Sequence, residues 1–256
     1  MIRLIIDGKH EGTMNMALDL ALAYSSSLEK VSTIRIYEWT NPTISLGKHQ
    51  KTANLDLNYI TKKGISIVRR PTGGRAVLHN REFTYSFSTY QNNTTLSGNL
   101  LESYLKISSA LIESFKLLGV NAELENSKKR GLTKDICYDA PSVYEIKIDG
   151  KKFVGSAQYR TNSFILQHGS IPIEFDYEDY VSSFKYSNKQ EIKNYLQKNT
   201  VDIKSLNNNN FTKENLANAF KEGFELIFKE KVIDSKLEQK EIQYADSIRK
   251  NFNIHL

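Results

Sequence analysis

Apolar residues recur at helical spacing in two long segments of the chain. Over residues 13–28 they stand three and four positions apart, and they do so again over 100–118, where Gly119 supplies a stop. This spacing places the apolar side chains on one stripe of a helix. We therefore predict two amphipathic helices whose apolar faces pack into a core.

Six shorter segments have the composition and periodicity of β-strands. They are residues 34–39, 65–68, 83–89, 143–148, 153–159 and 164–167. Asp149-Gly150 separates two of them, and a two-residue turn with positive φ favours this pair. We predict a β-hairpin over residues 144–160, with Lys152 on its returning arm.

Four consecutive asparagines, residues 207–210, predict a loop that divides the chain. Before this loop, helix and strand periods are mixed, which is typical of an α+β domain. After it, the pattern is helical only, with one stripe that begins at Leu216 and a second helix around 241–251. We expect a main domain over residues 1–206 and a helical C-terminal appendage over 207–256, within the same structural unit.

Composition narrows the class of protein. With 256 residues, 39% hydrophobic and 25% charged, the chain has the make-up of a soluble globular protein. The apolar stretch after Met1 is too short for a signal peptide, and no run approaches the ~18 apolar residues of a membrane span, so we expect a cytoplasmic protein. A net charge of +6 favours acidic partners over nucleic acid, because no zinc-finger or basic-zipper spacing accompanies it.

One cysteine, Cys137, stands in the sequence, fifteen residues before Lys152. A single thiol cannot form an internal disulfide, so it is an inert core residue, a surface thiol or a nucleophile. Taken alone, a lone cysteine is most often an inert buried side chain.

A second candidate feature is the run Arg-Arg-Pro-Thr-Gly-Gly-Arg-Ala-Val-Leu-His at residues 69–79. Paired glycines allow the backbone to approach a ligand closely, and Arg70 and Arg75 flank them with positive charge. The same pair also occurs in ordinary turns. The run is neither a Walker A loop nor a dinucleotide-binding fingerprint.

The run at 69–79 closely resembles the signature of the lipoate and biotin protein ligase superfamily. Four further segments resemble landmarks of that superfamily in the same order: residues 15–19, 42–50, 152–157 and 167–171. The resemblance implies an α+β catalytic domain with mainly antiparallel sheets and packed helices.

That superfamily includes ATP-dependent lipoate ligases, octanoyltransferases and amidotransferases. The run Cys-Tyr-Asp-Ala-Pro-Ser from Cys137 resembles the Cys-Phe-Asp-Ala-Pro-Ser block of the octanoyltransferases that load the glycine cleavage H protein from octanoyl-acyl carrier protein. The resemblance implies that Cys137 carries the octanoyl group as a thioester and that Lys152 lowers the pKa of its thiol. It implies no cofactor and no metal.

The resemblance also implies a set of substrate-binding residues. They are Arg70, Gly73, Gly74, Arg75, His79, Gly155, Ser156, Ala157 and His168. Backbone donors at Gly73-Gly74 or at Gly155-Ser156 are candidates for stabilising an oxyanion. Asn80 departs from the Asp that ligases commonly carry after the motif histidine, which weakens an ATP and metal role for this segment.

The partners implied are octanoyl-acyl carrier protein as donor and a lipoyl-domain protein, such as glycine cleavage H protein, as acceptor. Three alternatives stay open. One is an amidotransferase that moves octanoyl or lipoyl groups from H protein to dehydrogenase E2 subunits. The others are an ATP-dependent lipoate ligase and a non-catalytic module that binds a partner or lipoate.

Overall fold

The computed structural model describes residues 1–96, 98–126 and 144–254. The strands are β1 (Ile2–His10), β2 (Ser32–Trp39), β3 (Thr43–Leu46), β4 (Ser66–Arg69), β5 (Val77–His79), β6 (Glu82–Tyr90), β7 (Glu123–Asn126), β8 (Tyr144–Ile148), β9 (Lys151–Arg160), β10 (Phe164–Pro172) and β11 (Val232–Ser235). The helices are α1 (Gly12–Glu29), α2 (Leu57–Lys62), α3 (Leu100–Leu117), α4 (Tyr177–Ser182), α5 (Lys189–Asn199), α6 (Lys213–Phe228) and α7 (Gln239–Ile248). Short 3-10 turns lie at Thr94–Leu96, Lys204–Leu206 and Arg249–Phe252.

Eight strands form the larger of two sheets, in the order β11-β1-β2-β6-β10-β9-β8-β7. β1 pairs in parallel with both β11 and β2, and the remaining neighbours are antiparallel. The smaller sheet has the order β4-β3-β5. The expected α+β fold with mainly antiparallel sheets is confirmed.

The two faces of the large sheet are covered by different helices. On one face Phe87 of β6 stacks against Phe224 and Phe228 of α6, and α6 packs closely on α3. A Cβ at Gly223 would lie 2.3 Å from Ser114 Oγ, so only glycine permits this helix contact. Side chains alternate along a strand, so residues such as Thr84 and Ser88 face the other side, where α1 lies and Ser26 bonds Ser88.

The strongest sequence signals are confirmed. Both long helices begin and end within about a residue of their predicted bounds, and the six predicted strands all form. β10 extends to Pro172, five residues beyond its predicted end. The hairpin from β8 to β9 turns at Asp149 and Gly150, with φ of 50° and 73°, and Lys152 lies on the returning arm.

The prediction of a purely helical segment after the asparagine loop is wrong. Residues Val232–Ser235 form β11, which pairs in parallel with β1 in the register Ile2↔Val232. Four residues are too few to show a strand period, and only pairing with β1 defines them as a strand. The loop at 207–210 itself is confirmed.

The segment after the loop also contributes to the main core. Phe220 and Phe224 of α6 are fully buried there. Arg3 of β1 donates to both carboxylate oxygens of Glu241 in α7, at 2.6 and 3.1 Å. Among the described residues, no helix is both long enough and apolar enough to cross a membrane.

Candidate active site

A pocket lies between the small sheet and the face of the large sheet that α1 covers. Its lining comes from α1, from four strands of the large sheet and from β3, β5 and the chain after β4. The lining residues are Met16, Tyr37, Trp39, Ser45, Arg70, Val77, His79, Thr84, Gly155, Ser156, Ala157, His168, Gly169 and Ser170. Six of the residues predicted for substrate binding are in this list, and they come from the three separate segments 69–79, 152–157 and 167–171.

Arg70 donates several hydrogen bonds on the side of the pocket that the small sheet forms. The residue is only 4% exposed, and its guanidinium donates to the carbonyl oxygens of Ser45 (2.7 Å), Gly73 (2.8 Å) and Arg75 (2.6 Å). A planar guanidinium has five N–H donors in a fixed geometry, which suits several acceptors around one plane. Arg70 therefore fixes the course of the loop over residues 72–75.

Gly73, Gly74 and Arg75 belong to this loop, beside the pocket. The loop lies directly against the chain after β3, where the amide of Lys48 donates to the carbonyl of Thr72 at 2.9 Å. A Cβ at Gly47 would lie 1.9 Å from the carbonyl oxygen of Gly74. Two segments that the sequence marks separately, 42–50 and 69–79, thus meet through their backbones.

His79 is held by hydrogen bonds on both ring nitrogens. Its Nε2 lies 2.7 Å from Ser45 Oγ and its Nδ1 lies 2.8 Å from Glu82 Oε1. The ring stacks on Trp39 at 4.0 Å between centroids. With both nitrogens and one face engaged, His79 is a wall of the pocket whose orientation is set by the protein.

His168 is held in the same way on the opposite side of Arg70. Its Nδ1 lies 2.9 Å from Asp19 Oδ2 and its Nε2 lies 2.7 Å from Thr72 Oγ1. Because the carboxylate can only accept, Nδ1 carries the proton and Nε2 accepts from the Thr72 hydroxyl. Thr72 in turn accepts from Arg70 Nε at 3.1 Å.

Burial and charge set the protonation of this pair. Burial lowers the pKa of His168, and the charge of Arg70 adds to that effect, although Asp19 opposes it. Burial by itself would raise the pKa of Asp19, but the hydrogen bond from His168 and the charge of Arg35 outweigh it, so this pKa is lowered. The pair is thus a neutral imidazole beside a carboxylate.

Lys152 is 7% exposed and its Nζ donates to Glu145 Oε1 at 2.8 Å across the hairpin. The pairing of β8 with β9 shifts after Ile146↔Val154, so Phe153 is an extra residue in β9. Phe153 packs on Phe115 of α3, and alternation places Lys152 on the opposite face, toward the pocket side of the sheet. Cys137, the predicted nucleophile, lies outside the described residues.

Sequence patterns did not single out the carboxylates that hold these residues. Asp19 and Thr72 stand inside the motifs at residues 15–19 and 69–79, but nothing in the sequence pairs them with His168. Glu82 follows His79 by three residues, and its partners Thr84 and Ser170 come from two strands. Glu145 could have been found, because the predicted hairpin already placed residues near 145 opposite Lys152.

Comparison with known proteins gives one consistent result. The model of the lipoyl protein ligase A/B catalytic domain family matches residues 11–225. The octanoyltransferase LipM of Carboxydothermus hydrogenoformans is 38% identical over 94% of this chain and 92% of its own. The octanoyltransferase LipM of Geobacillus kaustophilus is 39% identical over 87% of this chain and 84% of its own.

Two solved structures share the fold at low sequence identity. A lipoate-protein ligase A bound with ATP superposes with a TM-score of 0.79 at 19% identity, over 97% of this chain and 94% of that one. The bi-partite lipoate protein ligase of Thermoplasma acidophilum superposes with a TM-score of 0.79 at 18% identity, over 97% of this chain and 91% of that one. At these identities the likeness shows the fold alone.

Replacing Arg70→Lys should lower the free energy of unfolding by about 2 kcal/mol or more. A lysine ammonium cannot reach the carbonyls of Ser45, Gly73 and Arg75 together, and each buried acceptor left without a partner costs about 1–3 kcal/mol. Urea denaturation measures the change. Arg249→Lys, at an exposed position, is the matched control and should differ from wild type by less than ~0.5 kcal/mol; an equal effect of the two changes would contradict the role given to Arg70.

Stability should fall as the pH is lowered from about 6.5, the pKa of an ordinary histidine, because the unfolded chain then takes up a proton that folded His168 resists. Asp19, whose pKa is also lowered, contributes its own loss of stability only at more acidic pH. His168→Asn should therefore lose less free energy of unfolding than wild type between about pH 7.5 and about pH 5.5 in urea titrations. An unchanged difference between these two pH values would show that His168 does not carry the effect.

Proposed function

The chain belongs to the lipoyl protein ligase A/B catalytic domain family, and we propose that it moves an octanoyl group from a carrier thioester to a protein lysine through a thioester on Cys137. It is an octanoyltransferase of lipoate biosynthesis. The observation that carries this conclusion is the 38–39% identity to octanoyltransferases over 87–94% of the chain. The ATP-bound ligase shares the fold at 19% identity, which carries no activity with it.

The first step is attack of the Cys137 thiolate on the carbonyl carbon of the octanoyl thioester. The C–S bond to the carrier breaks, the new thioester forms on Cys137, and the carrier thiolate leaves and takes up a proton. Exchange of one thioester for another changes the free energy little, so the step needs no nucleotide. A free cysteine has a pKa of about 8.5, and a nearby ammonium increases its thiolate fraction at neutral pH.

Lys152 is our candidate for that ammonium. It is buried, and Glu145 holds its Nζ at 2.8 Å, so the charge is fixed in position at the edge of the pocket face. A buried ammonium acts at lower effective dielectric than an exposed one, which strengthens its attraction to a thiolate. Gly155 lines the pocket whereas Gly73 and Gly74 are exposed, so we take the Gly155-Ser156 backbone as the candidate donor to the oxyanion.

In the second step the neutral amine of an acceptor lysine attacks the Cys137 thioester. The amide bond forms, the Cys137 thiolate leaves, and the proton of the amine is released. Conversion of a thioester to an amide is downhill, which drives the transfer. Because donor and acceptor visit the enzyme in turn, the kinetics are ping-pong.

We propose octanoyl-acyl carrier protein as the donor and a lipoyl-domain protein such as glycine cleavage H protein as the acceptor. Both are expected to be acidic. Lys48, His49 and Lys51 are exposed on the loop that packs against the 72–75 loop, and the Lys48 ammonium lies over the ring of Tyr159. The positive charges of the two lysines favour acidic partners.

Incubation with octanoyl-acyl carrier protein should add one octanoyl mass to the chain without ATP, and Cys137→Ser should abolish the adduct. Intact-protein mass spectrometry measures it, and addition of a lipoyl-domain acceptor should discharge it. If Cys137→Ser retains the transfer rate, or if product forms only with ATP and free acid, the thioester mechanism is wrong. Octanoyl-H protein tested as the donor separates the amidotransferase alternative.

Lys152→Met should slow formation of the acyl-enzyme at least ~10-fold and move the pH dependence of Cys137 alkylation to higher pH, because the thiolate loses its cation. Iodoacetamide labelling over a pH series measures the shift. Lys151→Met, at the exposed neighbouring position, is the control. A Lys152→Met/Glu145→Gln double variant removes both buried charges and separates the shift from misfolding; the same alkylation profile in all four proteins would remove Lys152 from the mechanism.

A further inference from the structure

An open, positively charged depression lies on the surface beside the pocket, and we call it the cationic shelf. Lys185 stands at its rim, where Nζ donates to the carbonyl of Ala53 at 3.3 Å. An anion on the shelf would meet positive charge from several directions. The described residues that line the shelf include three cations and no carboxylate: Lys48, His49, Gln50, Lys51, Thr52, Ala53 and Arg69.

Arg69 anchors the shelf with one nitrogen of its guanidinium. Its Nη1 donates to the carbonyl oxygens of Gly47 (2.9 Å), Lys48 (3.3 Å) and Gln50 (2.8 Å). These bonds fix the course of the loop that carries the lysines. Within the described part of the chain, Nε and Nη2 of Arg69 donate to no other residue. The N–H groups on that side of a guanidinium can bind two oxygens of one phosphate side by side.

The shelf adjoins the pocket through β9. The Lys48 ammonium lies 4.8 Å from the centre of the Tyr159 ring. Gly155 and Ala157, which precede Tyr159 on the same strand, both line the pocket. Alternate residues of a strand share one face, so Tyr159 lies on the face that carries the pocket. All three residues of this row are partly exposed, and the row leads along β9 from the pocket to the shelf.

The separation along β9 matches the length of a carrier's prosthetic arm. This assignment rests on the proposed function, in which the Gly155-Ser156 backbone is the candidate donor to the oxyanion and the reacting carbonyl lies beside it. From Gly155 to Tyr159 the strand rises about 13 Å. In the 4′-phosphopantetheine arm of an acyl carrier protein, sulfur and phosphorus are about 13 bonds apart, and at ~1.2 Å per bond an extended arm spans about 15 Å. An arm that runs along β9 from the thioester therefore brings its phosphate to the shelf.

We propose that the cationic shelf binds the phosphate of the donor's 4′-phosphopantetheine arm. Its ligands are Nε and Nη2 of Arg69 and the ammonium groups of Lys48 and Lys51. An octanoyl-lysine amide has no phosphate, so the shelf favours a carrier thioester over octanoyl-H protein as the donor. The shelf binds the arm and takes no part in making or breaking bonds.

Wild type should use a thioester that bears the phosphate better than the same thioester without it. For S-octanoyl-4′-phosphopantetheine, kcat/KM for formation of the acyl-enzyme should exceed that for S-octanoyl-pantetheine at least ~10-fold, because several charge-assisted hydrogen bonds are gained. The advantage should shrink as the salt concentration rises from about 0.05 M to about 0.5 M, since salt screens exposed charges. Equal use of the two donors overturns the proposal. Failure of these donors and of octanoyl-acyl carrier protein to acylate Cys137 would instead overturn the proposed function.

Lys48→Met/Lys51→Met removes two ammonium groups and keeps an apolar stem at each position. It should lower kcat/KM at least ~10-fold for S-octanoyl-4′-phosphopantetheine and less than ~2-fold for S-octanoyl-pantetheine. Lys116→Met, which removes an exposed ammonium from α3 on the other face of the sheet, is the control and should change neither value. Equal losses with the two donors overturn the phosphate assignment. A loss seen only with octanoyl-acyl carrier protein also overturns it, because the shelf would then bind acidic side chains of the carrier.

Discussion

One buried cation, the guanidinium of Arg70, connects the two sheets of this protein above the pocket. It holds three backbone carbonyls of the small sheet and its loop. It also starts two chains of hydrogen bonds, one through Ser45 to His79 and Glu82, the other through Thr72 to His168 and Asp19. Since a buried charge without partners is strongly unfavourable, the two sheets must keep this arrangement for Arg70 to stay inside.

The two histidines at the pocket differ from Lys152 in the contacts that their nitrogens make. Histidine is the usual proton carrier near neutral pH, yet both histidines here have their nitrogens occupied by neighbouring side chains. Lys152 and Glu145 form a separate buried pair on the hairpin, several strands away from Trp39. The proposed mechanism accordingly assigns a chemical role to Lys152 and none to the two histidines.

Much of the architecture follows from local sequence. The stripes of α1 and α3 and the Asp149-Gly150 turn depend on residues close in the chain, so their elements were predicted with nearly correct bounds. β11 was not predicted, since it has four residues and becomes a strand only by pairing with β1 more than two hundred positions earlier. The segments that surround the pocket were visible as motifs, but Trp39, Asp19 and Glu82 bond side chains of distant segments that no spacing rule connects with them.

The sequence by itself determined the family, the main helices and strands, the hairpin that carries Lys152 and the candidate residues of the site. Only the tertiary structure decided that Arg70 holds its own loop, that each ring nitrogen of both histidines bonds a neighbouring side chain, that Lys152 pairs with Glu145, and that Trp39 stacks on His79 in the pocket wall. The physical reason is the separation along the chain of the residues that interact. Helical and strand periods, turns and motifs are local, whereas a buried ion pair or a stacked wall needs side chains from distant segments to be desolvated together.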